Sequence, residues 1–125
     1  MRDNSKPLFV GLTHIGQVFS IGWAKKFQGC TVYDFNKNRY NDFKRGHLTA
    51  EEPNLLKFYK ENKKKINFCK SKRQIKKFKN IFFTVDTYLD QQGKPNFKIL
   101  EHSLKTSSFF PFVSSPSCCL YIGNI

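Results

Sequence analysis

Residues 8–23 read Leu8-Phe9-Val10-Gly11-Leu12-Thr13-His14-Ile15-Gly16-Gln17-Val18-Phe19-Ser20-Ile21-Gly22-Trp23, and a change of period inside this stretch decides the fold. Leu8, Phe9 and Val10 form a short β-favouring run that ends at Gly11. From Ile15 the apolar positions are Ile15, Val18, Phe19, Gly22, Trp23 and Phe27, spaced three and four apart, so one stripe of a helix faces a sheet. Gly29 stands where that helix stops. The stretch is a strand, a glycine turn and a helix.

Toward the carboxyl end, Cys30-Thr31-Val32-Tyr33 reads as a second strand ending at Asp34, and Tyr40 and Phe43 line a short helix that closes near Gly46. Glu51-Glu52-Pro53 opens a further helix, because proline is tolerated in a first turn and carboxylates favour the positive helix end. Leu55, Leu56 and Tyr59 are its expected buried face, and it frays into Lys63-Lys64-Lys65. Ile66-Asn67-Phe68 is a brief strand, and Ser71 is placed to cap a helix carrying Ile75 and Phe78. Residues 81–85 are the most apolar strand, the signature of a central position. A loop at 90–95, a helix at 97–104 and a last strand at 109–114, interrupted by Pro111, complete the pattern. Strands that alternate with helices argue for a parallel sheet.

A chain of 125 residues matches one domain, and 39% hydrophobic with 16% aromatic residues supplies a core, which excludes the disordered class. No run approaches the roughly 20 apolar residues of a membrane span, and residues 1–6 lack the apolar segment of a secretory signal, so a soluble, cytoplasmic protein is expected. Cys30, Cys69, Cys118 and Cys119 form no C-x-x-C pair and no His lies at ligand spacing, so reduced thiols and no metal site are expected. Twenty-two basic against nine acidic residues give a net charge of +13, which raises the prospect of a polyanionic partner. Eleven of those basic residues fall within 57–79, opposed only by Glu61. The stretch carries no RNP-like motif, finger spacing or heptads, and Phe58, Tyr59, Ile66, Phe68, Ile75 and Phe78 look like buried faces of short elements. A solvated basic surface is the favoured reading, and nucleic acid is not an expected partner.

Gly11-Leu12-Thr13-His14-Ile15-Gly16 lies between the first strand and the first helix, where a dinucleotide-binding fold places G-x-G-x-x-G. The first glycine permits the tight turn, the third lets helix and strand pack closely, and the helix N-terminus offers N–H groups and a positive dipole to a pyrophosphate. Thr13 replaces the middle glycine, with a hydroxyl that can donate a hydrogen bond where the backbone would otherwise approach the phosphates. Asp34 follows Gly11 by twenty-three positions, where an acid accepts from the adenosine ribose hydroxyls and favours NAD over NADP, with Lys37 and Arg39 nearby. By itself a glycine loop is equally an ordinary β-α turn.

Several motifs in order resemble the amino-terminal domain of the UDP-glucose/GDP-mannose dehydrogenase family. Leu8-Phe9-Val10-Gly11-Leu12-Thr13-His14-Ile15-Gly16 resembles the family's opening strand and loop, and Val32-Tyr33-Asp34 with Asn36-Lys37 its second strand and ribose-binding acid. Lys44-Arg45-Gly46 followed by Glu52-Pro53-Asn54-Leu55-Leu56 is similar to R-G…E-P-G-L-x-x-L. Phe83-Thr84-Val85-Asp86-Thr87 with Asp90-Gln91-Gln92-Gly93-Lys94-Pro95-Asn96 resembles V-x-T-P-x-D-x-x-G-x-P-D, and Val113-Ser114-Ser115 the S-T run of the next strand. Tyr88, Asn96 and Ser115 stand where the family usually has Pro, Asp and Thr.

The resemblance implies a fold and a chemistry. The fold is α/β, a Rossmann-like three-layer domain with a mainly parallel sheet, truncated; it spans residues 8–115 between an amino-terminal tail at 1–7 and a divergent tail at 116–125. The chemistry is an NAD-dependent four-electron oxidation in which the C6 alcohol of a nucleotide sugar passes through an aldehyde and a thiohemiacetal to a uronic acid. Gly11, Thr13, His14, Ile15 and Gly16 would face the pyrophosphate, Asp34 and Lys37 the ribose, and Thr87 and Ser115 the nicotinamide end. The chain reaches Ile125 before the positions where the family carries its catalytic Cys, Lys and Asn, so the expectation is an NAD-binding fragment, inactive alone. Cys118 and Cys119 lack the nucleophile's context, and no catalytic residue is assigned. A nucleotide sugar is an expected ligand only where a catalytic domain is supplied, and a homo-oligomer or a missing-half partner stays open. Two other readings stand beside this one: a basic interaction module that binds nucleic acid or another polyanion through residues 57–79, and a degenerate remnant.

Overall fold

In the computed structural model, β1 (Leu8–Val10) sits at the middle of a five-stranded parallel sheet. The elements in chain order are β1, α1 (His14–Lys26), β2 (Cys30–Tyr33), α2 (Lys37–Lys44), α3 (Leu55–Asn62), β3 (Ile66–Phe68), β4 (Ile81–Phe83), β5 (Tyr88–Leu89), β6 (Pro95–Asn96) and β7 (Cys119–Tyr121). Short 3-10 turns at Lys63–Lys65 and Lys72–Lys77 flank β3. The structure describes residues 6–84, 88–89, 91–92, 95–96 and 119–121.

The sheet order is β3-β2-β1-β4-β7, with every pairing parallel. The chain steps from β1 outward to β3 and then returns to the other side of β1 as β4. That reversal opens a crevice at the carboxyl ends of β1 and β4, the place where open α/β sheets bind ligands.

Alternation along β1 builds a core on each face. Phe9 joins Leu12, Ile21, Ala24, Val32, Phe43, Leu55 and Tyr59 under the helices, and Leu8 and Val10 join Ile75, Phe78, Ile81 and Phe83 on the opposite face. The stacked rings of Phe9 and Phe82, 5.0 Å apart, meet Trp23 of α1 and tie the helix to the sheet. In the basic stretch Tyr59, Ile66, Ile75 and Phe78 are buried, so they are core side chains and not a stacking surface.

Four expectations change in detail. The stripe of α1 expected to face the sheet, Ile15, Val18, Phe19, Gly22, Trp23 and Phe27, is not its buried face: the helix buries Gly16, Gln17, Ser20, Ile21 and Ala24, while Phe19 and Phe27 are 47% and 48% exposed, because the close approach at Gly16 sets which side of the helix meets the sheet. α3 begins at Leu55, after Asn54 adopts a left-handed backbone (φ 65°) at the position where the family motif has glycine. Asn is among the few L-residues that tolerate this. The helix therefore buries Leu55, Tyr59 and Asn62, four and three apart, while Leu56 turns outward and is 44% exposed. The expected helix around Ile75 is a 3-10 turn in which the Ser71 side chain caps nothing. Its two buried residues, Ile75 and Phe78, are three apart, which matches three residues per turn. Within the expected loop at 90–95, Pro95 belongs to β6, which pairs antiparallel with β5.

β7 lies in the stretch read as a divergent tail and pairs with β4, Ile81 opposite Cys119. The expected helix at 97–104 and strand at 109–114 lie outside the described residues.

Candidate functional site

The crevice is floored by the glycine loop. Gly11 sits at φ 111°, a conformation that strains any L side chain, and its N–H donates to the carbonyl of Tyr33 at 2.8 Å. A β-carbon on Gly16 would stand 1.7 Å from the Gly11 carbonyl oxygen and 2.8 Å from Thr84 Oγ1. Helix α1 closes onto the loop only because Gly16 carries no side chain. The Thr84 hydroxyl locks the same carbonyl from the β4 side, donating to Gly11 at 2.6 Å.

The first backbone bond of α1 runs from Gln17 N–H to the Thr13 carbonyl at 2.9 Å. The N–H groups of His14, Ile15 and Gly16 thus precede the helical ladder and stand at its positive end, as an anion requires. Thr13 departs from its expected use: its side chain is buried and its hydroxyl donates to the carbonyl of Thr84 at 2.6 Å. The proton anchors the loop to the end of β4, and the amides are left as the donors. His14 lies at the rim, more than half exposed, with Nε2 2.9 Å from Glu52 Oε1.

Asp34 leaves β2 beside the loop and is buried. Its Oδ2 accepts from Leu12 N–H at 2.8 Å and from Arg39 Nε at 2.9 Å, and its Oδ1 accepts from Asn36 N–H at 2.7 Å and Arg39 Nη2 at 3.4 Å. The carboxylate expected to face the ribose therefore pins the glycine loop to the start of α2, under an arginine. Asn36 caps α2 by accepting from the N–H groups of Asn38 and Arg39, which positions that arginine.

Lys37 lines a cavity of about 230 Å³ together with Tyr33, Asp34, Tyr40, Asn41 and Lys70. Burial, with Cys69 next and then Asp34, raises the Tyr33 phenol above its ordinary range; burial, with Cys69 next and then Tyr33, does so for Tyr40. Both are hydrogen-bond donors at neutral pH. Thr87 and Ser115 lie outside the described residues.

Two positioning residues escape the sequence reading. Arg39 was visible only as a nearby charge. Gln17, buried on α1, donates to the Leu12 carbonyl at 3.0 Å and to Thr49 Oγ1 at 2.7 Å, and accepts from the N–H groups of Thr49 and Ala50. It ties the loop to a segment more than thirty positions away, and no local pattern announces such a bond.

The arrangement suits a dinucleotide. A diphosphate matches the row of amides at the end of α1, and a ribose would come next to Asp34 and Arg39. Among the described residues, no group of His, Cys, Asp and Glu could hold a metal ion and no helix is long and apolar enough to cross a membrane. Cys30 and Cys69 are buried. Desolvation pushes the Cys30 thiol up to about 12, against a minor opposing pull from Lys6, and it donates to the Ser20 carbonyl, so it is no nucleophile.

The family model of the NAD binding domain of the UDP-glucose/GDP-mannose dehydrogenase family matches residues 6–110. No curated protein matches the chain. Among solved structures, the chain is similar to a GDP-mannose dehydrogenase ternary complex from Pseudomonas aeruginosa, with TM-score 0.79, 13% identity and 96% of this chain covered. It is also similar to the UDP-N-acetyl-mannosamine dehydrogenase of Staphylococcus aureus, with TM-score 0.77, 24% identity and 97% covered. For the UDP-glucose dehydrogenase of Pyrobaculum islandicum the figures are 0.73, 19% and 82%. These likenesses establish a Rossmann-like dehydrogenase fold. The chain spans 28%, 29% and 24% of those three proteins, respectively.

Proposed function

The chain belongs to the UDP-glucose/GDP-mannose dehydrogenase family through its NAD-binding domain, and on that premise we propose that residues 8–115 bind a nicotinamide dinucleotide in the crevice at the start of α1. The observation that carries the reading is the contact between Gly16 and the Gly11 carbonyl. A glycine with no room for a β-carbon brings the helix N-terminus against the loop, and the amides of His14, Ile15 and Gly16 face a diphosphate there. Asp34 and Lys37 flank the adenosine ribose, and Thr87 and Ser115 belong to the nicotinamide end. When bound, the cofactor supplies hydride acceptance; the residues of this chain bind and orient it.

The oxidation of a nucleotide sugar is the reaction this domain serves, with the sugar and the nucleophilic thiol supplied by a further domain or a partner subunit. The buried, protonated Cys30 supports that division of labour. The chain alone is therefore expected to bind cofactor without turnover. Isothermal titration with NAD and NADH tests the binding: one site per chain, weakened at least tenfold by Gly16→Ala in protein that remains folded. Absence of heat and of competition by ADP-ribose at millimolar cofactor refutes it.

A further inference from the structure

The buried Asp34 carboxylate has no acceptor position to spare. Its side chain is 3% exposed, and its oxygens accept four hydrogen bonds: Leu12 N–H at 2.8 Å and Arg39 Nε at 2.9 Å on Oδ2, Asn36 N–H at 2.7 Å and Arg39 Nη2 at 3.4 Å on Oδ1. A carboxylate offers about four lone-pair sites, so a ribose diol that donates to Asp34 must displace donors already in place. The two amides are fixed. Leu12 lies between Gly11, tied to the Tyr33 carbonyl, and Thr13, tied to the Thr84 carbonyl, and the Asn36 cap holds the start of α2. The Arg39 side chain is not: it is 39% exposed, its backbone stays anchored through Asn36 Oδ1, and rotation about its own bonds carries the guanidinium into solvent.

A guanidinium fork and a ribose diol each bring a pair of donors to a carboxylate, and Asp34 has room for one pair beyond its two amides. We propose that Arg39 and the adenosine ribose compete for the same acceptor positions, so that binding of NAD requires the guanidinium to swing off Asp34 and Arg39 lowers the affinity for the diol. The exchange keeps the buried charge paired in both forms, because the arginine returns when the cofactor leaves; a buried carboxylate left half paired is costly. The inference rests on the dinucleotide reading above and gives Arg39 a role within it opposite in sign to that of a ligand contact.

The ratio of affinities for 5′-AMP and its 2′,3′-dideoxy analogue reads the diol alone, since the two share base and phosphate. In titrations of the full chain, Arg39→Met keeps the stem, removes every donor, and is expected to raise that ratio about tenfold over wild type. Loss of a cation near the nucleotide phosphate acts on both ligands alike and leaves the ratio unmoved. Arg39→Lys keeps the charge and gives up the fork, and is expected to raise the ratio by a smaller factor; where Arg39→Met does not fold, this variant decides, a rise supporting the proposal and no rise overturning it. A ratio at or below the wild-type value in folded Arg39→Met protein overturns the proposal, because the guanidinium then either assists the ribose or stands clear of it. NAD binding with an unchanged ratio spares the dinucleotide site while removing the competition. Failure of every nucleotide to bind wild type and variants removes both readings together.

Discussion

Two glycines on α1, six positions apart, respond in opposite directions to the same added methyl group. At Gly16 the new β-carbon would lie 1.7 Å from the Gly11 carbonyl oxygen, and real contacts of this kind do not fall below 3.0 Å, so loop or helix must move by at least 1.3 Å. The carbonyl has no slack, because Thr84 Oγ1 holds it at 2.6 Å and the Gly11 N–H is tied to Tyr33. Overpacking of a rigid site costs about 1–3 kcal/mol, and loss of the Thr84 bond adds about 1 kcal/mol. The expected destabilisation for Gly16→Ala is about 3 kcal/mol, which lowers Tm by about 10–20 °C in a domain of this size. At Gly22 nothing lies within 4 Å of the added carbon. There Gly22→Ala removes only the backbone freedom of glycine in a helix, worth about 0.5–1 kcal/mol of added stability. Urea and thermal unfolding of both variants measure the pair. A Gly16→Ala protein within about 1 kcal/mol of wild type, or a Gly22→Ala protein as damaged as Gly16→Ala, refutes the close-approach account of the loop.

Gln17→Met keeps the volume but strands the N–H groups of Thr49 and Ala50; a loss of about 2–4 kcal/mol in urea unfolding is expected. Leu55→Ala is expected to cost about 2–5 kcal/mol and Leu56→Ala less than about 0.5 kcal/mol, and equal losses would place both leucines in the core. Cys30 keeps its proton to about 12 when folded, against an ordinary 9.0 when unfolded, so the folded chain binds the extra proton between those values. Its contribution is full below pH 9 and declines as the pH rises toward 12. Unfolding midpoints measured from pH 7 to 10.5 are expected to fall less steeply in Cys30→Ala than in wild type. Tyr33, Tyr40 and Tyr59 shift in the same direction, so part of the slope remains.

The order strand, turn, helix over residues 8–26 was legible because each step follows from neighbours in the chain, a β-favouring run, a glycine, then a helical period, but the buried face of α1 was not: it is Gly16, Gln17, Ser20, Ile21 and Ala24, chosen by the close approach at Gly16 and not by the apolar spacing. The same holds for β2 and β3, whose bounds match the apolar runs, and for α2, which carries Tyr40 and Phe43 and closes before Gly46: their order was legible from neighbours in the chain. Leu56 was misread because helix phase depends on where the helix begins, and that was set by one left-handed residue, Asn54, inside a motif that looked helical. Asp34 was found at the right place, at the end of β2. Its partners were not foreseen, since a carboxylate twenty-three positions from Gly11 can face a ligand, a loop amide or an arginine with equal ease on paper.

Residue order alone determined the alternation of strands and helices, the glycine turn and the family, because these depend on local steric and hydrophobic periods that any short window contains. Tertiary structure alone decided what the polar groups do. Thr13 is spent on Thr84, Gln17 on the loop and the segment after α2, and Asp34 on Leu12 and Arg39. Hydrogen bonds across the fold are made only once packing has brought distant donors and acceptors within 3 Å, and which of several equivalent partners wins is settled by that geometry.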